Sequence, residues 1–185
     1  IPSLQSIDHE EKVIYLGTFS KSIAPSLRIS YMVLPLHLLK KYQESCSFYS
    51  TTVSKIQQEV LREFIRGGYF GRHLNKMRGI YKNKHDFLVG ELKKKNWVEN
   101  IAGDNAGLHV LVQVNTTLTE EEICKKAAEC GIRLMGIREH YIHTPPEGRP
   151  VLLLGYGKPD EQEIQKGLEV LESIVLENRI PLPLR

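Results

Sequence analysis

Lys21 is the residue of this sequence that is best placed to do chemistry. It lies in a loop of small and hydroxyl-bearing residues, 17–26, between two apolar runs, 13–16 and 27–34, that are typical of strands. We expect both strands to be largely buried. We also expect Lys21 to be partly buried, because burial favours the neutral amine that can form an imine.

The same loop carries groups that bind anions. Thr18 and Ser20 supply hydroxyls, the loop supplies main-chain N–H groups, and Arg28 supplies a planar guanidinium seven residues after Lys21. Together these groups predict a site for a phosphate dianion beside a nucleophilic amine. The alternative is that Lys21 is one of the many solvated lysines of the chain.

Helices are predicted after the second strand. Apolar residues recur at helical spacing over 36–65, and the pair Gly67-Gly68 ends that pattern. One long helix is predicted over 70–95, and a helix of that length often links two domains.

A small strand–helix unit is predicted beyond the long helix. Strands are expected at 107–114, 132–142 and 151–156. Two capping pairs, Thr119 with Glu122 and Asp160 with Glu163, predict the starts of two amphipathic helices. The expected result is a small α/β layer of about three strands and two helices.

The amino-acid composition limits the classes of protein to which this chain can belong. With 185 residues, 41% apolar and 25% charged, the chain has the composition of an ordinary globular protein of one or two domains. The net charge of +3 is too small to indicate a nucleic-acid partner for this part. No apolar run reaches the roughly 18 residues of a membrane-spanning helix, so no membrane association is expected.

Cysteine and histidine spacing indicates no metal site. Cys46, Cys124 and Cys130 lack the spacing of metal ligands, which favours reduced thiols and a cytoplasmic protein. His140 and His143 lie three residues apart on a predicted strand and would therefore point to opposite faces.

The segment YLGTFSKSIAPSLRISY, residues 15–31, resembles the lysine segment of fold-type-I pyridoxal-phosphate aminotransferases. It is most similar to the aminotransferase-like domain of MocR/GabR-type transcriptional regulators, which join a winged helix-turn-helix to this domain. Three further stretches resemble the same family, at residues 1–8, 68–81 and 106–109.

The resemblance implies an α/β fold: the C-terminal part of a fold-type-I large domain plus the small C-terminal α/β domain. Residues 1–75 would then form the C-terminal part of the pyridoxal-phosphate-binding large domain. Residues 76–185 would form the linking helix and the small domain. The resemblance also implies that further parts of the cofactor pocket precede this segment, so we expect the C-terminal portion of a longer protein that binds the cofactor weakly by itself.

The resemblance also implies roles for individual residues. Lys21 matches the lysine that binds pyridoxal 5'-phosphate covalently, and Thr18, Ser20 and Arg28 match the groups that hold its phosphate. Enzymes of the superfamily usually carry a substrate-binding arginine in the strand that here reads VLLLGY, and this strand has none. Arg138, a possible partner of a substrate or effector carboxylate, and Arg149 are nearby substitutes, although each is more easily explained as a surface or structural arginine.

The implied function is an effector sensor in a transcriptional regulator. An amine or amino acid would exchange with Lys21, and the resulting movement would pass to a DNA-binding domain outside this chain. A homodimer is implied by the resemblance alone. The alternatives are a free-standing aminotransferase of the aminoadipate or aromatic type, in which Lys21 would shuttle a proton, and a folded fragment without activity.

Overall fold

The computed structural model describes residues 2–103, 107–145 and 147–178. Ile1 and Ala106, which belong to two of the stretches that resemble the family, lie outside the described residues. The chain divides into two compact units, of which the first ends at Met77.

The first unit contains two short strands followed by helices. Its elements are a 3₁₀ helix Leu4–Ile7, β1 Tyr15–Thr18, a 3₁₀ turn Pro25–Leu27, β2 Ser30–Val33, α1 Leu36–Cys46, α2 Lys55–Arg66 and the beginning of α3 Tyr69–Lys93. The strands β1 and β2 pair antiparallel, with Tyr15 opposite Val33 and Thr18 opposite Ser30. The Lys21 segment is therefore the connection of a β-hairpin.

The prediction that both strands are largely buried is wrong for this chain. Leu16 is 72% exposed, and Met32 and Val33 are 48% and 43% exposed. Among the described residues, β1 and β2 pair only with each other, so their apolar side chains lack the covering layer that buries a strand in a larger sheet.

The predicted helices are confirmed, and their ends follow from local chemistry. The Ser54 hydroxyl caps α2 by accepting the Gln57 N–H, and Gly67 and Gly68 separate α2 from α3. Gly68 has a φ of 71°, a conformation that glycine adopts without steric cost. None of the described helices combines the length and the apolarity needed to cross a membrane.

The second unit contains the last part of α3, four strands and two further helices. Its elements are β3 Val98–Ala102, β4 His109–Val114, α4 Glu120–Glu129, β5 Met135–Gly136, a 3₁₀ turn Arg138–His140, β6 Val151–Gly155 and α5 Glu161–Leu176. The sheet order is β3-β4-β6-β5, and every neighbouring pair is antiparallel. Both predicted capping boxes are present, at the starts of α4 and α5.

One face of this sheet packs against the helices and forms the core. Alternate residues of β4 and β6 are buried together with apolar residues of α3, α4 and α5. Trp97 is fully buried, and its Nε1 donates to Glu172 Oε1 at 3.1 Å. Lys95 donates to the other carboxylate oxygen at 2.8 Å, and this hydrogen bond lowers the pKa of Glu172.

Two strand predictions differ from the structure. The strand expected at 132–142 is reduced to the two residues of β5, because the buried Glu120 carboxylate accepts the Arg138 N–H and the Val151 N–H at 2.8 and 2.9 Å. A side chain thus takes the place of strand pairing there. The unpredicted strand β3 carries a bulge between Val98 and Asn100, which breaks the alternation that would have indicated it.

The packing of Gly136 against Glu120 gives a testable prediction. A Cβ at Gly136 would overlap the Glu120 side chain, whereas a Cβ at Gly79 on α3 would meet nothing within 4 Å. We expect Gly136→Ala to lower the free energy of unfolding by about 1–3 kcal/mol, because overpacking displaces a buried carboxylate. Urea denaturation measures the change.

Gly79→Ala is the matched control and should be neutral or stabilising by about 0.5–1 kcal/mol, since alanine is favoured over glycine inside a helix. Equal stability of the Gly136→Ala variant and the unsubstituted chain would contradict the described packing.

Candidate functional site

The connection between β1 and β2, residues 19–29, is called here the Lys21 loop. Its two ends are buried: Phe19 is 8% exposed and Ile29 is 7% exposed. The Phe19 N–H donates to the Ile29 carbonyl at 3.0 Å, and the Phe19 carbonyl accepts the Ile23 N–H at 2.8 Å. Buried apolar side chains and main-chain hydrogen bonds therefore close the loop at its base.

Thr18 links the strand to this loop. Its Oγ1 donates to the Ile29 carbonyl at 3.2 Å and accepts the Ser20 N–H at 3.2 Å. The Thr18 carbonyl accepts the Ser22 hydroxyl at 3.3 Å. The structure thus brings the two predicted hydroxyl residues, Thr18 and Ser20, together at the start of the turn that carries Lys21.

Lys21 itself is exposed, so the prediction of partial burial is wrong for this chain. The physical reason is that the turn projects from a two-stranded sheet whose described residues provide no layer above it. Lys21 forms no hydrogen bond or ion pair with the residues that the structure describes. A lysine in this position is accessible to a small molecule from solvent.

Arg28 lies at the opposite end of the Lys21 loop and is also exposed. It has the left-handed backbone conformation, with φ 51° and ψ 32°, at the end of the 3₁₀ turn. A non-glycine residue in this region is uncommon and is held here by the bonded Ile29 that follows it. Arg28 makes no ion pair within the described parts of the chain.

An aromatic group supports the base of the loop, and sequence reasoning did not identify it. The Phe19 ring lies 5.0 Å from the Tyr31 ring and 5.9 Å from the Phe70 ring, measured between centroids. Gly17 faces Tyr31 across the hairpin, where any Cβ would overlap the tyrosine ring. A hydrogen bond with Tyr15 raises the pKa of Tyr31. The sequence did contain a signal for this group, the alternation of aromatic and small residues at Tyr15, Gly17 and Phe19.

The two substitute arginines belong to the second unit and have carboxylates beside them. The Arg149 Nε lies 3.1 Å from Glu99 Oε1, and its Nη1 contacts Asn115 Oδ1. Arg138 begins the 3₁₀ turn after β5, and its Nε lies 4.0 Å from Glu120 Oε1 with 43% of the side chain exposed. Arg149 therefore has a structural role, and Arg138 combines an ion pair to Glu120 with a partly exposed side chain.

His140 and His143 were predicted to lie on a strand, and this prediction is wrong. His140 ends the 3₁₀ turn that follows β5, and His143 lies in a bend, because the Glu120 carboxylate ends the strand before them. Within residues 2–103, 107–145 and 147–178, no group of three or more metal-ligating side chains is close enough to hold a metal ion.

The Lys21 loop suits a phosphorylated aldehyde. Together with Thr18 at the end of β1, it presents a primary amine, the hydroxyls of Thr18 and Ser20, main-chain N–H groups and a guanidinium; the Thr18 hydroxyl already donates to the Ile29 carbonyl. Hydroxyls and guanidinium bind phosphate oxygens, and an accessible amine can condense with an aldehyde. The residues that are present therefore fit the cofactor that the sequence resemblance implies.

Comparison with known proteins gives a family and relatives. The family model described as aminotransferase class I and II matches residues 2–164. The uncharacterized HTH-type transcriptional regulator YdeL of Bacillus subtilis is 39% identical over 94% of this chain. The probable rhizopine catabolism regulatory protein MocR of Rhizobium meliloti is 30% identical over 100% of it. The chain spans only 37% and 38% of the lengths of these two relatives.

A solved structure shares the fold. The α-aminoadipate aminotransferase LysN from Thermus thermophilus, solved in complex with N-(5'-phosphopyridoxyl)-L-leucine, superposes with a TM-score of 0.78 at 23% identity. The match covers 96% of this chain and 46% of that one. The α/β fold expected from the sequence is confirmed.

The hydrogen bond between Thr18 and Ser20 gives a prediction that requires no ligand. Thr18→Val removes the acceptor for the Ser20 N–H, and we expect that N–H to exchange with deuterium about fivefold faster, the effect of losing about 1 kcal/mol. Amide hydrogen exchange measures the rate.

Thr18→Ser keeps the hydroxyl and should keep the rate. The Val53 N–H, which donates to Thr51 Oγ1 at the same 3.2 Å distance, is the internal control. An unchanged Ser20 rate in the valine variant would show that Thr18 does not hold the turn.

Proposed function

The chain belongs to the aminotransferase class I and II family, and we propose that it is the pyridoxal 5'-phosphate-binding, effector-sensing part of a MocR-type transcriptional regulator. The similarity of nearly the whole chain to two curated regulators carries this proposal. The Lys21 loop also supports the proposal, because it carries an amine and groups that can bind a phosphate.

In this proposal the Lys21 loop holds the cofactor. Lys21 Nζ would be the covalent attachment point, and Thr18, Ser20, main-chain N–H groups of the loop and Arg28 would hold the phosphate. When bound, the cofactor supplies an electron sink, and the protein supplies attachment and orientation. The closed base at Phe19 and Ile29 fixes the geometry of these groups before binding.

The effector in this proposal would be an amine or an amino acid that takes the place of Lys21 at the cofactor. The released Nζ of Lys21 can then hold or pass on a proton. For an effector with a carboxylate, we propose Arg138, whose side chain is 43% exposed, as its partner. Ordinary transamination is disfavoured because β6 carries no arginine.

The regulatory consequence is also a proposal. Displacement of Lys21 favours one conformation of the protein over another, and the difference passes to the DNA-binding domain of the whole regulator. We propose a homodimer in the cytoplasm, with DNA contacted only through a domain outside the chain described here.

Covalent trapping tests the attachment point. We expect borohydride reduction of the full-length protein with pyridoxal 5'-phosphate to leave a pyridoxyl group on the peptide that contains Lys21, because reduction fixes the imine. Peptide mass analysis locates the group.

Lys21→Ala should abolish the adduct, whereas Lys40→Ala, which removes an exposed lysine of α1, should leave it intact. An adduct on another lysine, or bound cofactor without any adduct, would refute the assignment of Lys21.

Turnover distinguishes a sensor from an enzyme. We expect amino acids or amines to change the absorption spectrum of the bound cofactor without sustained amino-group transfer to 2-oxoglutarate, because the strand that would carry a carboxylate-binding arginine lacks one. Steady-state transfer from any standard amino acid, at rates of about 1 per second or more as in ordinary enzymes, would favour the aminotransferase instead.

A further inference from the structure

A cavity of about 410 Å³ opens in the second unit between α5, β6 and the segment 131–134. We propose that it binds a small carboxylate with an apolar tail, at a site separate from the Lys21 loop. Its volume lies within the range of about 300–1,000 Å³ that is usual for small-molecule sites.

The cavity lies where the edge strand of the sheet has not yet begun. β5 begins at Met135, opposite Leu153, so segment 131–134, which precedes β5, is not paired with β6 at the level of Gly155. The Tyr156 N–H donates to the Leu108 carbonyl oxygen, on the β4 side of β6. Along a strand, the N–H groups of successive residues point alternately to the two neighbouring strands. The N–H of Gly155 therefore points away from β4, toward the edge where no β5 residue pairs with β6 and where the cavity lies.

The wall of the cavity is apolar and is part of the core. Leucine and isoleucine side chains from α3, β6 and α5 line it, and most are less than 9% exposed; the buried ones are Leu88, Leu154, Ile164, Leu168 and Leu171. Their packing against the sheet and α3 fixes the wall. An alkyl or aryl tail placed here would lose its contact with water, which is favourable in proportion to the apolar area removed.

The charged side chains that line the cavity favour an anion. Arg133 and Lys158 line it and are exposed, and neither forms an ion pair with the described residues. The acidic residue of the lining, Glu163, already accepts the Asp160 N–H at 2.9 Å in the capping box of α5. Two cations and the Gly155 N–H thus lie around an apolar wall, which is the arrangement that recognises an amphipathic carboxylate.

Gly167 keeps the cavity open. It lies in the middle of α5, where glycine is less favourable than alanine. A Cβ at this position would meet nothing within 4 Å, so close packing does not require glycine there. A larger side chain at this position would instead extend toward the space that the cavity occupies, which provides a way to block it.

Octanoate is a suitable probe, and equilibrium dialysis of the full-length protein with radiolabelled octanoate measures its binding. We expect saturable binding with one site per chain. The double variant Arg133→Gln, Lys158→Gln should weaken binding at least about tenfold, because it removes the two positive charges that would pair with the carboxylate. Gly167→Leu should weaken it by a similar factor by filling the cavity.

Lys125→Gln combined with Lys126→Gln, which changes two exposed lysines of α4 that do not line the cavity, is the charge-matched control and should bind octanoate normally. Octanol, which has the tail without the carboxylate, should bind more weakly and should not respond to the double variant. No saturable octanoate binding, or binding that neither the double variant nor Gly167→Leu reduces, overturns the proposal. The double variant replaces exposed side chains and keeps the test valid if Gly167→Leu does not fold.

Discussion

The candidate chemistry of this chain depends on a shared acceptor, the carbonyl oxygen of Ile29. It accepts the Phe19 N–H and the Thr18 hydroxyl, and thereby ties both ends of the Lys21 loop together. Phe19 and Ile29 are both buried, which makes the loss of the main-chain bond between them costly. Without this closure the amine, the hydroxyls and the guanidinium would be unrelated groups on a mobile loop.

In the second unit, two glutamate carboxylates hold neighbouring segments together. The Glu120 carboxylate replaces strand pairing at the end of β5, and the Glu172 carboxylate joins Lys95 to the indole of Trp97. Both carboxylates accept two hydrogen bonds, as a buried or half-buried charge requires. Glu120 acts at the end of β5 that leads to Arg138, whereas the cavity lies at the opposite end of β5, beside residues 131–134.

Helix positions and helix starts could be predicted from the sequence because they depend on local periodicity and on residues three apart. Thr119 with Glu122 illustrates this. The exposure of β1 and β2 could not be predicted from the sequence, because the burial of a strand depends on which other strands lie beside it. The short length of β5 could not be predicted either, because Glu120, which accepts the hydrogen bonds at its end, is distant from β5 in the sequence. For the candidate site, the types and order of Thr18, Ser20, Lys21 and Arg28 were readable, whereas the exposure of Lys21 and its aromatic support depend on tertiary packing.

The most direct measurement of the central claim is the crystal structure of the full-length protein grown with pyridoxal 5'-phosphate. Our account predicts continuous electron density from Lys21 Nζ to the cofactor, with the phosphate within hydrogen-bonding distance of Thr18, Ser20 and Arg28. Density joined to a different lysine, or a phosphate bound away from the Lys21 loop, would contradict it.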